Sequence, residues 1–123
     1  MKSRLELINE VLEEMRRDNP GLDAVAVVSS DGMPVASLMK EADELKVSAM
    51  AATLHGVAEQ VIKELRGGDL GYVAVTSGRG ILIIKSINQN FVLVLLVGTS
   101  SRLGYALWQA ERSARRLNEL LSP

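Results

Sequence analysis

Residues 81–97 read ILIIKSINQNFVLVLLV. Two runs, 81–87 and 91–97, are apolar at nearly every position, and Asn88-Gln89-Asn90 between them is a turn signal. A strand of a one-sided sheet alternates apolar and polar residues, whereas a strand apolar on both sides is covered on both sides. The pair is therefore a hairpin in a sheet that carries helices on both faces. The runs are far short of the ~20 apolar residues that a bilayer span needs.

Outward from this hairpin the other elements fall into place. Upstream, LGYVAVTS at 70–77 is a third strand, joined to 81–87 by Ser77-Gly78-Arg79-Gly80, so three strands form an antiparallel meander. Downstream, Leu103, Leu107, Ala110, Ala114, Leu117 and Leu121 recur at intervals of four and three, which predicts a helix over 101–121. A long central helix over 44–66 is capped by Asp43 and ended by Gly67-Gly68 through a left-handed residue. Before it, strands over 22–29 and 33–38 flank Ser30-Asp31-Gly32, a hairpin turn, and Pro34 places the second of them at a sheet edge. The first helix, 4–18, opens with the capping box Ser3…Glu6, shows Leu5, Ile8, Leu12 and Met15 on one face with Val11 beside them, and stops at Asn19-Pro20-Gly21. The order is α-β-β-α-β-β-β-α, an α/β fold built as an α/β/α sandwich around one five-stranded antiparallel sheet.

Composition bounds the function. The 123 residues suit a single domain over 1–123. With no cysteine there are no disulfides, thiolate metal sites or cysteine nucleophile. A net charge of −1 gives no field for nucleic acid or an anionic membrane. The N-terminal residues lack the unbroken apolar run of a secretory signal, so a cytoplasmic protein is expected.

Chemistry-bearing motifs are missing. No P-loop sequence occurs, and Gly78-Arg79-Gly80 lies in a hairpin rather than between strand and helix. His55 is the only histidine and is expected at the surface or rim of the central helix. No positioned acid, base, nucleophile or metal-ligand set can be named, so no enzyme activity, cofactor or metal is expected. On the last helix, Arg102, Arg112, Arg115 and Arg116 read as a solvated basic face, with an acidic partner as the alternative, and Trp108 lies off the apolar stripe.

The central helix carries two stripes at 100° per residue. Val47, Met50, Leu54, Val57, Val61 and Leu65 are large and are expected on the sheet; Leu45, Ala49, Ala52 and Gly56, on the other side, are expected outside. An apolar stripe facing away from its own core marks a contact site, and Gly56 is not explained by helix propensity. The strand at 70–77 has neither proline nor charge, so at an edge it would invite pairing with its own copy.

The element order, Gly21-Leu22-Asp23-Ala24-Val25 with Ser30-Asp31-Gly32, the alanine-rich helix around Ala49, Ala51 and Ala52, Gly68-Asp69-Leu70 and Gly80-Ile81-Leu82 together resemble the roadblock (dynein light-chain) family, whose fold is close to profilin. The resemblance spans residues 5–121. It implies a homodimer or a heterodimer with a second such chain, made through the third strand and the central helix, with sheets joined edge to edge and central helices side by side. It implies a non-enzymatic platform or regulator of a small Ras-like GTPase, including GTPase-activating co-factors, or an adaptor in a larger assembly. Carried over, the dimer seam falls on Leu70, Tyr72, Ala74 and Thr76 with Val73 and Val75, and the partner surface on Leu45, Ala49, Ala52, Gly56 and Glu59. Arg79, at a hairpin tip, is the candidate arginine finger. A small-molecule-sensing, profilin-like module is the competing expectation and requires a cavity with converging polar groups.

Overall fold

The computed structural model describes residues 1–39 and 43–122. Ser3 caps α1 (Arg4–Asp18): its hydroxyl accepts from the Glu6 N–H at 3.1 Å, and the Glu6 carboxylate accepts back from the Ser3 N–H at 3.4 Å. Ile8, Val11, Leu12 and Met15 are buried, whereas Leu5, expected with them, is half exposed. The hairpin β1 (Leu22–Ser29) and β2 (Pro34–Met39) follows. Asp43 caps α2 (Glu44–Glu64), its carboxylate accepting from the Lys46 N–H. The meander is β3 (Val73–Ser77), β4 (Gly80–Ser86) and β5 (Phe91–Gly98), and α3 (Leu103–Leu121) closes the order. Eight elements thus stand in the expected sequence, with β3 beginning three residues later than expected.

The strands order as β2-β1-β5-β4-β3, with β1–β2, β1–β5, β4–β5 and β3–β4 all antiparallel. The chain's most apolar strands, β5, β4 and β1, fill the interior, and the edges fall to β2, where Pro34 sits, and to β3. Side chains alternate across the pleat. Val25, Val27, Ile83, Leu93, Leu95 and Val97 face α1 and α3, where Ile8, Leu12, Met15, Ala106, Ala110 and Leu117 complete one core cluster. Ala26, Val28, Ile84, Val92 and Val94 face α2, with Ala51.

The α1/α3 side holds the larger of the two core clusters. Ile8, Leu12, Leu117, Leu93, Leu95 and Ile83 are fully buried, each worth about 1.5–3 kcal/mol relative to exposure. A buried polar clasp joins the end of α1 to α3. Gln109 donates to the Met15 carbonyl at 2.8 Å and accepts from the Asn19 amide at 3.2 Å, and Asn19 accepts from Ser101 at 3.1 Å. The buried stripe of α3 is Ala106, Gln109, Ala110, Ser113, Ala114 and Leu117, so the face is rotated from the expected one and Leu103 stays exposed.

The end of α2 also differs from expectation. The left-handed residue is Arg66, at φ +53°, not a glycine. Gly67 N–H reaches the Ile62 carbonyl at 2.9 Å and Arg66 N–H the Lys63 carbonyl at 3.2 Å, the two bonds of a Schellman motif.

Candidate interaction surface

The seat of α2 differs from the expectation drawn from side-chain size: the large stripe does not lie on the sheet, and a narrow face beside the small one does. Ser48, Ala51 and His55 are its buried residues, with Ala52 half buried beside them. The large residues face out: Met50, Leu54, Val57, Val61 and Leu65 are among the exposed hydrophobics, Leu65 at 71%. The physical reason lies in the sheet face beneath. Only small side chains let a helix backbone come down onto Ala26, Val28, Val92 and Val94. The β1–β2 turn fits the same way, since a Cβ built on Gly32 would lie 3.3 Å from the Ala49 Cα. His55 is buried rather than at the rim, its Nδ1 lying 3.3 Å from the Glu59 carboxylate, while its Nε2 and the Ser48 hydroxyl have no hydrogen-bond partner among the described residues.

The outward stripe continues onto the sheet. Met39, Ala24, Leu96, Leu82 and Val75 are register partners in turn across all five strands. All five residues are apolar, and Leu96 and Val75 are exposed. Between this row and Val47 and Met50 of α2 lies an apolar cleft of about 180 Å³, lined also by Val94. The row ends at the free edge of β3.

The carried-over residues divide. On the seam, Ala74, Val75 and Thr76 are exposed on edge strand β3, Tyr72 is half exposed just before it, Leu70 is half buried, and Val73 packs under α2. Of the partner set, Leu45, Ala49 and Gly56 are exposed on one flank of α2, with open space where a Gly56 Cβ would stand. Ala52, expected outside, packs against the α2-side core. Glu59 is exposed but paired with His55. The larger apolar stripe of Met50, Leu54, Val57 and Val61 is the part that sequence reasoning assigned to the interior. Arg79 is exposed at its hairpin tip, and its N–H donates to the Ser77 hydroxyl at 3.2 Å.

Among the described residues no three His, Asp or Glu side chains stand close enough together to hold a metal ion. Among them, too, no helix is long and apolar enough to cross a membrane. The surface presents shape and apolar area, which is what a protein partner uses.

Comparison with known proteins bears on this surface. The model of the Roadblock/LC7 domain family matches residues 7–97. No curated protein sequence matches the chain. Among solved structures, MglB with a tetrameric arrangement superposes with a TM-score of 0.90 at 19% identity, covering 98% of this chain and 91% of that one. The gliding protein MglB from Thermus thermophilus gives 0.89 at 18% identity, covering 98% and 92%. A Roadblock/LC7 domain from Streptomyces avermitilis gives 0.86 at 16% identity, covering 93% and 97%.

Proposed function

The chain belongs to the Roadblock/LC7 domain family, and from that premise we propose that it is a non-enzymatic homodimeric platform that regulates a small Ras-like GTPase. The observation that carries this is the exposed apolar surface running from the outer stripe of α2 to the open edge of β3. A monomer would leave Met50, Leu54, Val57, Val61 and Val75 in water, and contiguous apolar area of this kind marks an interaction site.

In the proposed dimer, β3 pairs with β3 of a second copy through Tyr72, Val73, Ala74, Val75 and Thr76, with Leu70 at the margin. A two-fold axis at this seam makes the contact self-complementary and turns two five-stranded sheets into one. The apolar stripes of the two α2 helices meet above it. The flank that carries Leu45, Ala49 and Gly56, with Ala52 and Glu59 behind, remains available to the GTPase. A partner of this class is what the roadblock resemblance implies, and the likeness to MglB structures in fold accords with it.

The small-molecule reading loses support. Its best cavity against the sheet is the 180 Å³ cleft, lined entirely by apolar residues, below the ~300 Å³ usual for ligand pockets and without the polar groups that fix a ligand.

The decisive experiment measures the mass of the purified chain at micromolar concentration by sedimentation, then its binding to the small Ras-like GTPases of its source organism. The expected results are a dimer and a nucleotide-dependent complex, lost in Leu45→Glu with Gly56→Glu while the dimer persists. A monomer at every concentration, or a GTPase complex indifferent to those substitutions, would overturn the proposal.

A further inference from the structure

The face opposite α2 carries a feature that neither the dimer nor the GTPase surface uses. On the outer side of α3, Trp108 is 52% exposed. It is held in place. The Arg112 guanidinium lies 5.3 Å from its ring centroid, and the Tyr105 ring 5.7 Å from it. Tyr105 is itself anchored, its hydroxyl donating to the Asp18 carbonyl at the end of α1. Tryptophan, tyrosine and arginine are the residues that dominate binding energy in interfaces. A ring already fixed by its neighbours loses little freedom when a partner covers it.

Charge identifies the partner. Of the other cations on and beside α3, Arg115 pairs with Glu111 at 2.9 Å, Lys85 with Glu111 at 3.1 Å and Arg116 with Glu14 at 3.0 Å, and Arg102 is in none of the ion pairs found among the described residues. Among the described residues, Arg112 has no carboxylate within ion-pair distance. An unneutralised cation on an exposed indole is complementary to a carboxylate beside an apolar side chain. A second copy meeting this ridge across a two-fold axis would set Arg112 against its own kind.

We infer that the Tyr105–Trp108–Arg112 ridge of α3 is a docking site for an acidic segment of another protein, one that carries an apolar anchor for Trp108. Because α1 and α3 cover one face of the sheet and α2 the other, this site and the α2 surface can be filled at the same time. The chain would then link its α2-side partner to a second protein.

The test uses the full chain and a displayed library of random short peptides selected on it. Trp108 is the only tryptophan, so its emission reports contact directly. The expected result is enrichment of peptides rich in Asp and Glu with an apolar residue. Their synthetic forms should shift Trp108 emission to the blue, bind more weakly as salt rises, and lose about tenfold or more in affinity in Arg112→Glu. Circular dichroism and sedimentation of that variant should match the parent. Failure to recover acidic peptides, or peptides that bind Arg112→Glu equally well, overturns the inference. So does an emission shift produced only by phosphatidylserine-containing vesicles, which would make the ridge a membrane contact, or only by raising the protein concentration, which would make it a contact between copies. None of these outcomes depends on whether a GTPase binds α2.

Discussion

Val75 of β3 stands directly across from Leu82 of β4, and the pair forms the outer end of an apolar row that crosses the whole sheet to Met39. Val75 is 44% exposed because no strand lies beyond it. An edge of this kind, with no charge and no proline, is unprotected against pairing. The row would continue without a break into the same row of a second copy.

Val75→Arg should therefore disrupt the proposed dimer and leave the monomer folded. Two guanidinium groups would face each other near the two-fold axis, in an environment that excludes water. The dimer dissociation constant should rise about a hundredfold, some 2.7 kcal/mol. Sedimentation equilibrium measures the change, and an unaltered dimer would move the seam away from β3.

The two faces of α2 should respond oppositely to substitution. Ala51 is fully buried between the helix and the sheet, so Ala51→Leu overpacks the seat and should cost about 1–3 kcal/mol of folding stability. Leu54 points outward, and Leu54→Gln should change monomer stability by no more than ~0.5 kcal/mol. Urea unfolding at concentrations below dimer dissociation separates the two. Had the larger stripe lain on the sheet, the ranking would be reversed.

This face assignment marks the limit of what the sequence discloses. The element order, the capping box at Ser3, the edge placement of Pro34 and the double-sided burial of β4 and β5 follow from local signals: caps, turn residues and period. The two stripes of α2 are equally visible, because both recur at helical spacing. What lies inside is the narrow face between them, Ser48, Ala51 and His55, and the reason is the sheet face it meets, lined with Ala26, Val28, Val92 and Val94, which leave no depth for Met50 or Leu54. Size suggests the interior only for a chain that buries all its apolar surface alone. His55 departs from its expected rim position for the same reason, since it lies on that narrow inner face. Of the candidate site, the β3 edge is legible from its composition, whereas the apolar row from Met39 to Val75 depends on strand order and register.

Arg66 supplies a stability prediction independent of any partner. It holds φ +53° at the position after the α2 cap, where Gly is usual. A residue with a Cβ is strained there by about 1–2 kcal/mol. Arg66 is exposed and in none of the ion pairs found among the described residues. Arg66→Gly should thus stabilise the fold by about 0.5–1 kcal/mol, the relief of strain exceeding the added freedom of the unfolded chain. The denaturation midpoint should rise with no change in slope.

Gln109→Leu should act in the opposite direction. The amide of Gln109 is buried, donates to the Met15 carbonyl and accepts from Asn19. Leucine has similar bulk but leaves the Asn19 amide without its acceptor and the α1 carbonyl without this donor. The expected loss is about 2–3 kcal/mol, read from chemical denaturation. A loss within experimental error would mean that the clasp contributes no net stability and that apolar packing alone holds α1 to α3.

Glu111 gives the fold a pH dependence of known sign. Its carboxyl is held below the ordinary glutamate range, first by the hydrogen bond from Lys85, then by the charge of Lys85, with Arg115 adding to both effects. Lys85 also donates to the Gly71 carbonyl at 2.8 Å, so one side chain links α3 to the segment that leads into β3. A carboxylate whose value is lowered by folding contributes stability above its unfolded value, and that contribution is lost as pH falls through the folded one. The unfolded chain takes up the proton first. The contribution is small because the pair is open to solvent. Carboxyl-detected NMR should place the Glu111 midpoint below the ordinary glutamate range. In Lys85→Met it should move upward, and amide exchange at Gly71 and Tyr72 should quicken as the segment loses its tether. A midpoint unmoved by Lys85→Met would show that Arg115 alone sets the carboxylate, and would sever the proposed link between α3 and the β3 edge.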